Sequence, residues 1–319
     1  MVYAAGSMRE DLMPDTDSWL TAWRNLQPQC VACSGPLDVA DDVFRCPTCS
    51  ATYPVVSGVP RFVSSEAYAA SFGYEWGRHR KTQLDSISGL DRSRDAFAAK
   101  TCLTADELRG ARVLDVGVGS GRFAEIAADL GASVVGIDLT RAADVAGENL
   151  GRRALVAQAD LFHPPFADET FDVVYSIGVL HHTPDTRAAV ERISRLVKPG
   201  GILAVWLYHP ARSQRFSDTY RRLTTRMSEP ALYRLCQAAS YLYYPQRIPK
   251  VGSLLGTVFP ISVEADRTWR TLDTFDWYSP KFQWKHTVPE VVGWFEQLGY
   301  SDVRSLTEPT SVRGRKPLR

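Results

Sequence analysis

Arg112-Val113-Leu114-Asp115-Val116-Gly117-Val118-Gly119-Ser120-Gly121-Arg122 is an apolar run that breaks into a turn with glycine at every second position. A helix-like segment, Phe123 to Leu130, follows it. Strand, glycine-rich turn and helix in that order make a nucleotide-type cofactor site at the carboxyl end of a parallel strand. The glycine spacing selects the cofactor. A dinucleotide fingerprint, G-x-G-x-x-G, would put its third glycine where Arg122 stands. The pattern here is Asp115-x-Gly117-x-Gly119-x-Gly121.

That pattern resembles the first motif of the class I methyltransferases that use S-adenosylmethionine (SAM). SAM has no pyrophosphate to cradle. Its aminocarboxypropyl tail lies flat against the turn, and side chains at the glycines would block it. The resemblance therefore places Asp115, Gly117, Gly119 and Gly121 at the cofactor. Ser133 to Asp138 reads as a second strand ending in an acid. Asp138, followed by Leu139, stands where a carboxylate accepts hydrogen bonds from ribose hydroxyls; a helix N-cap is the plainer alternative. The third strand is Arg153 to Asp160. By resemblance Asp160 receives the adenine amino group and Leu161 packs on the ring. The fourth strand, Phe171 to Gly178, carries Ser176, also assigned to the cofactor site.

The fourth strand runs into Leu180-His181-His182-Thr183-Pro184-Asp185. A helix from Asp185 to Leu196, apolar at Ala189, Ile193 and Leu196, stops at Lys198-Pro199-Gly200-Gly201. Ile202 to Tyr208 is a continuous apolar run, as a strand buried on both faces requires. The His-His and Lys-Pro-Gly-Gly segments resemble the branch that holds ubiquinone-type and many small-molecule methyltransferases, and the likeness covers residues 105–208. Closing elements are a helix, Val288 to Leu298, and strands near 300–308 and 310–316. The resemblance implies an α/β fold: a doubly wound, Rossmann-like seven-stranded sheet of order 3-2-1-4-5-7-6, its last strand antiparallel.

Cys30-x2-Cys33, twelve residues, then Cys46-x2-Cys49 has the spacing of a zinc ribbon. Each C-x-x-C forms a knuckle, and four thiolates close a tetrahedral, structural site. Two disulfides are the competing reading. The chain shows no signal peptide and no long apolar segment, so a cytoplasmic location is expected, where disulfides are rare and Zn2+ is the expected occupant. Cys102 and Cys236 read as packing residues. The ribbon and its tail, Tyr53 to Phe62, resemble the small zinc-ribbon proteins that activate tRNA and protein methyltransferases, here fused to the enzyme. Such a module docks substrate or RNA, or it is a stabilising cap, because so short a segment holds too little core to stand without metal. Lying in a different domain, it is expected to act independently of the cofactor site.

With 319 residues, 45% hydrophobic and 23% charged, the chain has core enough for one large and one small domain. A net charge of +1 gives no global pull toward nucleic acid. The densest basic stretch, Arg212, Arg215, Arg221, Arg222 and Arg226, reads as a solvated helix face or a phosphate contact. The expected division is a tail or helix over 1–27, a ribbon over 28–63, a linker or lid over 64–104, and a catalytic domain over 105–319. A helical insertion at 209–265 caps the last.

Three further segments bear on the acceptor. Ser71 to Arg80, rich in aromatics, is a lid offering Arg78 to the SAM carboxylate, or a packed linker. The insertion, with Tyr241-Leu242-Tyr243-Tyr244-Pro245, sets acceptor specificity or forms an aromatic dimer interface; a homodimer fits the second case. Asp273 to Thr287 resembles a block of small-molecule and sugar methyltransferases and is a candidate acceptor wall. Methyl transfer from a sulfonium needs alignment and water exclusion, and a base only where the acceptor must lose a proton. His181 and His182 are the candidate bases, with His209 and His286 weaker. The reading is a SAM-dependent methyltransferase of a small molecule or sugar. The alternatives are an RNA methyltransferase, since a zinc ribbon before a SAM fold also resembles bacterial enzymes that methylate a guanine in ribosomal RNA, and a non-catalytic scaffold.

Overall fold

A computed structural model describes residues 16–64, 67–210, 215–248 and 250–318. Most of the N-terminal tail and Arg212 lie outside the described residues.

The chain enters with α1 (Thr16–Leu26) and a four-stranded antiparallel ribbon, β1 (Asp38–Val39), β2 (Val43–Arg45), β3 (Thr52–Val56) and β4 (Val59–Pro60). Helices α2 (Ala70–Arg78), α3 (Asp85–Ser88), α4 (Arg92–Thr101) and α5 (Ala105–Leu108) lead to the main sheet. There β5 (Arg112–Val116), β6 (Ser133–Asp138), β7 (Ala154–Gln158), β8 (Phe171–Ile177) and β9 (Val197–Trp206) alternate with α6 (Arg122–Asp129), α7 (Ala142–Leu150) and α8 (Thr186–Arg195). Helices α9 (Arg215–Thr224), α10 (Glu229–Ala239), α11 (Tyr243–Gln246), α12 (Val251–Val258) and α13 (Arg267–Tyr278) follow. The chain closes with α14 (Val288–Gln297), β10 (Ser301–Ser305) and β11 (Ser311–Arg315).

The large sheet runs β10-β11-β9-β8-β5-β6-β7, the order expected from the sequence. Strands β5 to β9 pair in parallel, and β11 is antiparallel to both neighbours. Helices on both faces explain the unbroken apolar runs, with Val113, Leu114 and Val116 fully buried in β5. One boundary differs. Strand β9 begins at Val197, so Lys198-Pro199-Gly200-Gly201 ends α8 and also opens the strand. A register shift between Phe171 and Val173 absorbs the extra length. Gly200 (φ +76°) fits that bulge and donates its N–H to the Lys316 carbonyl at 2.8 Å.

The ribbon does not stand apart. Trp23, Phe44 and Phe62 share one core with Ile137, Leu161 and Phe166 of the large sheet. The ribbon's tail then joins the β7 edge: Phe62 N–H donates to the Gln158 carbonyl at 2.8 Å, and Arg61 pairs with Gln158 and Asp144. Gln158 Nε2 in turn donates to the Leu139 carbonyl at 3.0 Å, so this contact reaches the residue next to Asp138.

Helices α10 and α13 pack around Leu232, Tyr233, Cys236, Phe275 and Tyr278, so the helical layer continues to Tyr278. The basic stretch is divided. Arg221 turns inward, donating to the Trp277 carbonyl at 3.1 Å and the Pro280 carbonyl at 2.6 Å, while Arg222 and Arg226 are exposed. No helix among the described residues is long and apolar enough to cross a membrane.

Candidate functional site

At the carboxyl ends of β5, β6, β8 and β9 lies a cavity of about 420 Å³, the place where open α/β sheets bind ligands. Its sheet-side wall is the glycine-rich turn. Gly117 has φ +82°, and a Cβ there would lie 2.3 Å from Val179. Its glycine is therefore demanded by the protein's own packing. Gly119 lines the cavity beneath the Trp76 indole. Gly121 lies outside the lining, and a Cβ on it would meet Leu150 at 2.9 Å. Asp138 lines the wall with Leu139; its Oδ2 accepts from Gly119 N–H at 3.1 Å and its Oδ1 from Thr140 N–H at 2.9 Å. Asp160 and Leu161 complete this wall, with Asp160 Oδ1 accepting from Phe162 N–H at 2.9 Å.

Three of the expected cofactor residues serve the wall from behind. Asp115 is buried in β5, where Tyr175 Oη donates to its Oδ2 at 3.0 Å. Burial first, and the nearby Asp138 charge, push its carboxyl up to about 7. Ser176 Oγ donates to the Val116 carbonyl at 2.8 Å and ties β8 to β5. Arg78 lies over the Tyr74 and Tyr233 rings, at 5.0 and 4.9 Å, outside the lining. The cation that does line the cavity beside the turn is Arg122, which the sequence reading placed only as the end of the motif. Its Nε donates to Ser93 Oγ at 2.9 Å and its Nη1 to Gln83 Oε1 at 3.1 Å.

The opposite wall is assembled from remote segments. Phe72, Glu75 and Trp76 come from α2, Lys100 from α4, Trp206 and Tyr208 from the end of β9, and Asp273, Asp276 and Trp277 from α13. The Lys100 ammonium sits 3.6 Å from the Trp206 ring centre, and burial lowers its pKa to about 8. Among the described residues of the 209–265 insertion only Glu264 reaches the lining; Tyr241 and Tyr244 are exposed.

The histidine pair divides. His181 is fully buried and stacks on the Tyr208 ring at 3.9 Å, outside the lining. His182 lines the cavity. Its Nδ1 lies 2.9 Å from the Phe282 carbonyl, which can only accept, so Nδ1 carries the proton and Nε2 presents a lone pair. Burial lowers the pKa of both rings. The loop after α13 holds this turn: Trp284 N–H donates to the His181 carbonyl at 2.8 Å and Trp284 Nε1 to the Thr183 carbonyl at 3.0 Å. His209 bonds Thr310 and His286 bonds Glu290, both away from the cavity.

In the ribbon, the sulfurs of Cys30, Cys33, Cys46 and Cys49 all lie within 4.8 Å of one another. Cys30 to Cys49 and Cys33 to Cys46 are each 3.5 Å. Four thiolates at about 2.3 Å from one zinc stand about 3.8 Å apart, so the cluster fits that ion. Tyr53 Oη, 3.1 Å from Cys30 Sγ, is placed to donate to a thiolate.

Residues 114–205 match the family model described as "Methyltransferase domain", and this central part of the chain is such a domain. Sterol 24-C-methyltransferase erg6 of Schizosaccharomyces pombe is 31% identical over 189 residues, 54% of this chain and 45% of that protein. Methyltransferase GfsG of Streptomyces halstedii is 37% identical over 127 residues, 38% of this chain and 46% of that protein. A ubiquinone biosynthesis O-methyltransferase of Alkalilimnicola ehrlichii is 43% identical over 99 residues, 30% of this chain and 40% of that protein. The chain thus spans under half the length of these relatives.

Proposed function

We propose that this chain is a SAM-dependent methyltransferase of a small molecule, with His182 as proton acceptor and a structural zinc in the ribbon. The observation that carries the reading is one cavity joining the methyltransferase motif, Asp138 and Asp160 to His182, whose Nε2 has no hydrogen-bond partner. When bound, SAM would supply a sulfonium methyl that an acceptor attacks in line, displacing a neutral thioether.

The residues present fit that cofactor. Asp138 is placed to receive the ribose hydroxyls, and Asp160 with Leu161 to receive the adenine. Arg122, beside the turn, matches a carboxylate in charge and donor geometry. Arg122 takes the role that the sequence gave to Arg78. Trp76 and the α13 aromatics exclude water, and His182 accepts a proton where the acceptor must lose one.

An RNA acceptor has less support. Among the described residues Lys100 and Arg122 are the only lysine and arginine in the lining, which also holds several carboxylates, and a phosphate backbone needs the reverse balance. The relatives named for sterol and ubiquinone methylation favour a small acceptor. The ribbon is assigned a stabilising role, since its aromatics are part of the sheet's own core.

Calorimetry with SAM and with its demethylated product, S-adenosylhomocysteine (SAH), tests the reading. Both should bind with heat and raise the melting temperature. No heat and no shift at millimolar ligand would sink it.

A further inference from the structure

Opposite the cofactor wall the cavity carries more negative charge than transfer from a sulfonium requires. Glu75 projects from α2, and Asp273 and Asp276 share one face of α13 at a spacing of three residues. Among the described residues none of the three has an ion-pair partner within 4.0 Å. Asp276 Oδ2 accepts from Tyr208 Oη at 2.5 Å, and Asp273 Oδ2 accepts from Ser262 Oγ at 3.0 Å. Glu75 is only 2% exposed, and its Oε2 has no hydrogen-bond partner.

A second buried acceptor faces the same space from another element. His182 is 4% exposed, and its Nε2 has no partner. Trp76, Trp277 and Tyr208 set aromatic rings around these groups.

A buried carboxylate oxygen without a partner, as on Glu75, is costly, and the two aspartates beside it have hydrogen bonds but no counter-ion. Burial, with the Asp276 and Asp273 charges, raises Glu75 well above the usual carboxylate range; burial chiefly raises Asp273 to about 7. Of the cavity's own cations Arg122 offsets part of the rise at Asp273, but none acts on Glu75: Lys100 sits on Trp206 and Arg122 is bonded to Ser93 and Gln83. A ligand hydroxyl would donate a hydrogen bond and bring no charge. An ammonium brings three N–H donors, a full positive charge and a fit to aromatic faces.

We propose that the acceptor carries a basic nitrogen, that Glu75, Asp273 and Asp276 hold it as an ammonium, and that this nitrogen is methylated. The inference rests on the methyltransferase reading above. The bound ammonium gives one N–H proton to His182 Nε2, and the Asp276 charge favours the imidazolium formed. The freed lone pair makes the N–CH3 bond as the S–CH3 bond breaks, its electron pair staying on sulfur. The product leaves as a methylammonium, and His182 returns its proton to solvent.

Isosteric probe pairs test this on the full chain saturated with SAH: phenethylamine with phenethyl alcohol, and cyclohexylamine with cyclohexanol. The amine of each pair should bind about tenfold or more tightly than its alcohol, as a desolvated charge pair warrants. Glu75→Gln, Asp273→Asn and Asp276→Asn should erode that preference while SAH affinity is kept, which also reports that each variant folds. Equal or absent binding of both members of every pair overturns the proposal, as does a preference that survives all three substitutions. Protein that binds no SAH fails the methyltransferase reading and this one with it; protein that binds SAH without preferring amines fails this one alone.

Discussion

One wall of the cavity comes from the ends of adjacent parallel strands, where Gly117, Gly119, Asp138 and Asp160 follow β5, β6 and β7 in turn. The other is gathered from α2, α4, the end of β9 and α13, with lining residues spread from residue 72 to residue 277. The first wall is mostly backbone turns, with one carboxylate each at the ends of β6 and β7. The second is side chains whose positions depend on packing between helices. A strand order that is fixed also fixes a cofactor site; an acceptor site set on helices is free to change without disturbing it. Substitutions on the two walls should therefore separate, one moving SAH affinity and the other turnover.

The largest separation is expected at His182. His182→Ala should lower kcat by roughly 10²–10⁴-fold, the range for a lost general base, and leave SAH affinity nearly unchanged. His181→Phe keeps a ring against Tyr208, at the 3.9 Å stacking position, and should cost far less. Steady-state kinetics with calorimetry on both variants checks this. Equal losses at the two histidines would mean that the turn, not the Nε2 lone pair, is what matters.

The ribbon offers the next test, because its tail is bonded to Gln158, which in turn bonds Leu139 of the cofactor wall. Chelation of zinc, or Cys46→Ser, should cost more stability than the roughly 0.5–3 kcal/mol of an ordinary substitution, as loss of a metal site does. It should also weaken SAH binding through the Arg61–Gln158–Leu139 link. Metal analysis should find a zinc ratio near one per chain. A Cys46→Ser protein with unchanged SAH affinity would restore the independence that the spacing alone suggested.

Asp138→Ala should then weaken SAM and SAH roughly ten- to a hundredfold, about 1.4–2.7 kcal/mol. Acceptor preference among the probe amines should stay as it was. Calorimetry on this variant beside Asp273→Asn gives the comparison in both directions.

What was legible follows the same division. The strand order and the positions of Asp138, Asp160 and the four cysteines were readable, because each rests on local spacing at the end of a strand or in a knuckle. Arg78 was expected at the cavity that Arg122 lines instead, for one reason. Both are arginines near the motif, and only the packing of α2 on α10 shows that Arg78 is spent on Tyr74 and Tyr233. The three carboxylates sat in quoted segments without being singled out. Asp273 and Asp276 share a helix face, but nothing local says that Glu75 meets that face. The Lys-Pro-Gly-Gly stop was read correctly as a helix end, and the strand it also opens depends on a bulge against Phe171 that no local pattern signals.

The smallest effect on ligand binding should come from Asp115, which belongs to the cofactor motif yet lies behind its wall, so its titration is read in stability instead. Burial raises its folded-state carboxyl from 3.8 to about 7, so the folded protein holds a proton there that the unfolded chain has already lost. Its contribution to stability is complete below pH 3.8 and is lost as the pH rises through about 7. Asp115→Asn removes that titration and still accepts from Tyr175 Oη. Between pH 4 and pH 7 the variant should gain on the wild type by on the order of 1 kcal/mol per pH unit at most, and above that the gap should level off. Urea melts of both proteins across this range measure the difference directly. A constant offset at all pH values would show that Asp115 is ionised in the fold and that Tyr175 and the turn amides, not burial, govern its charge.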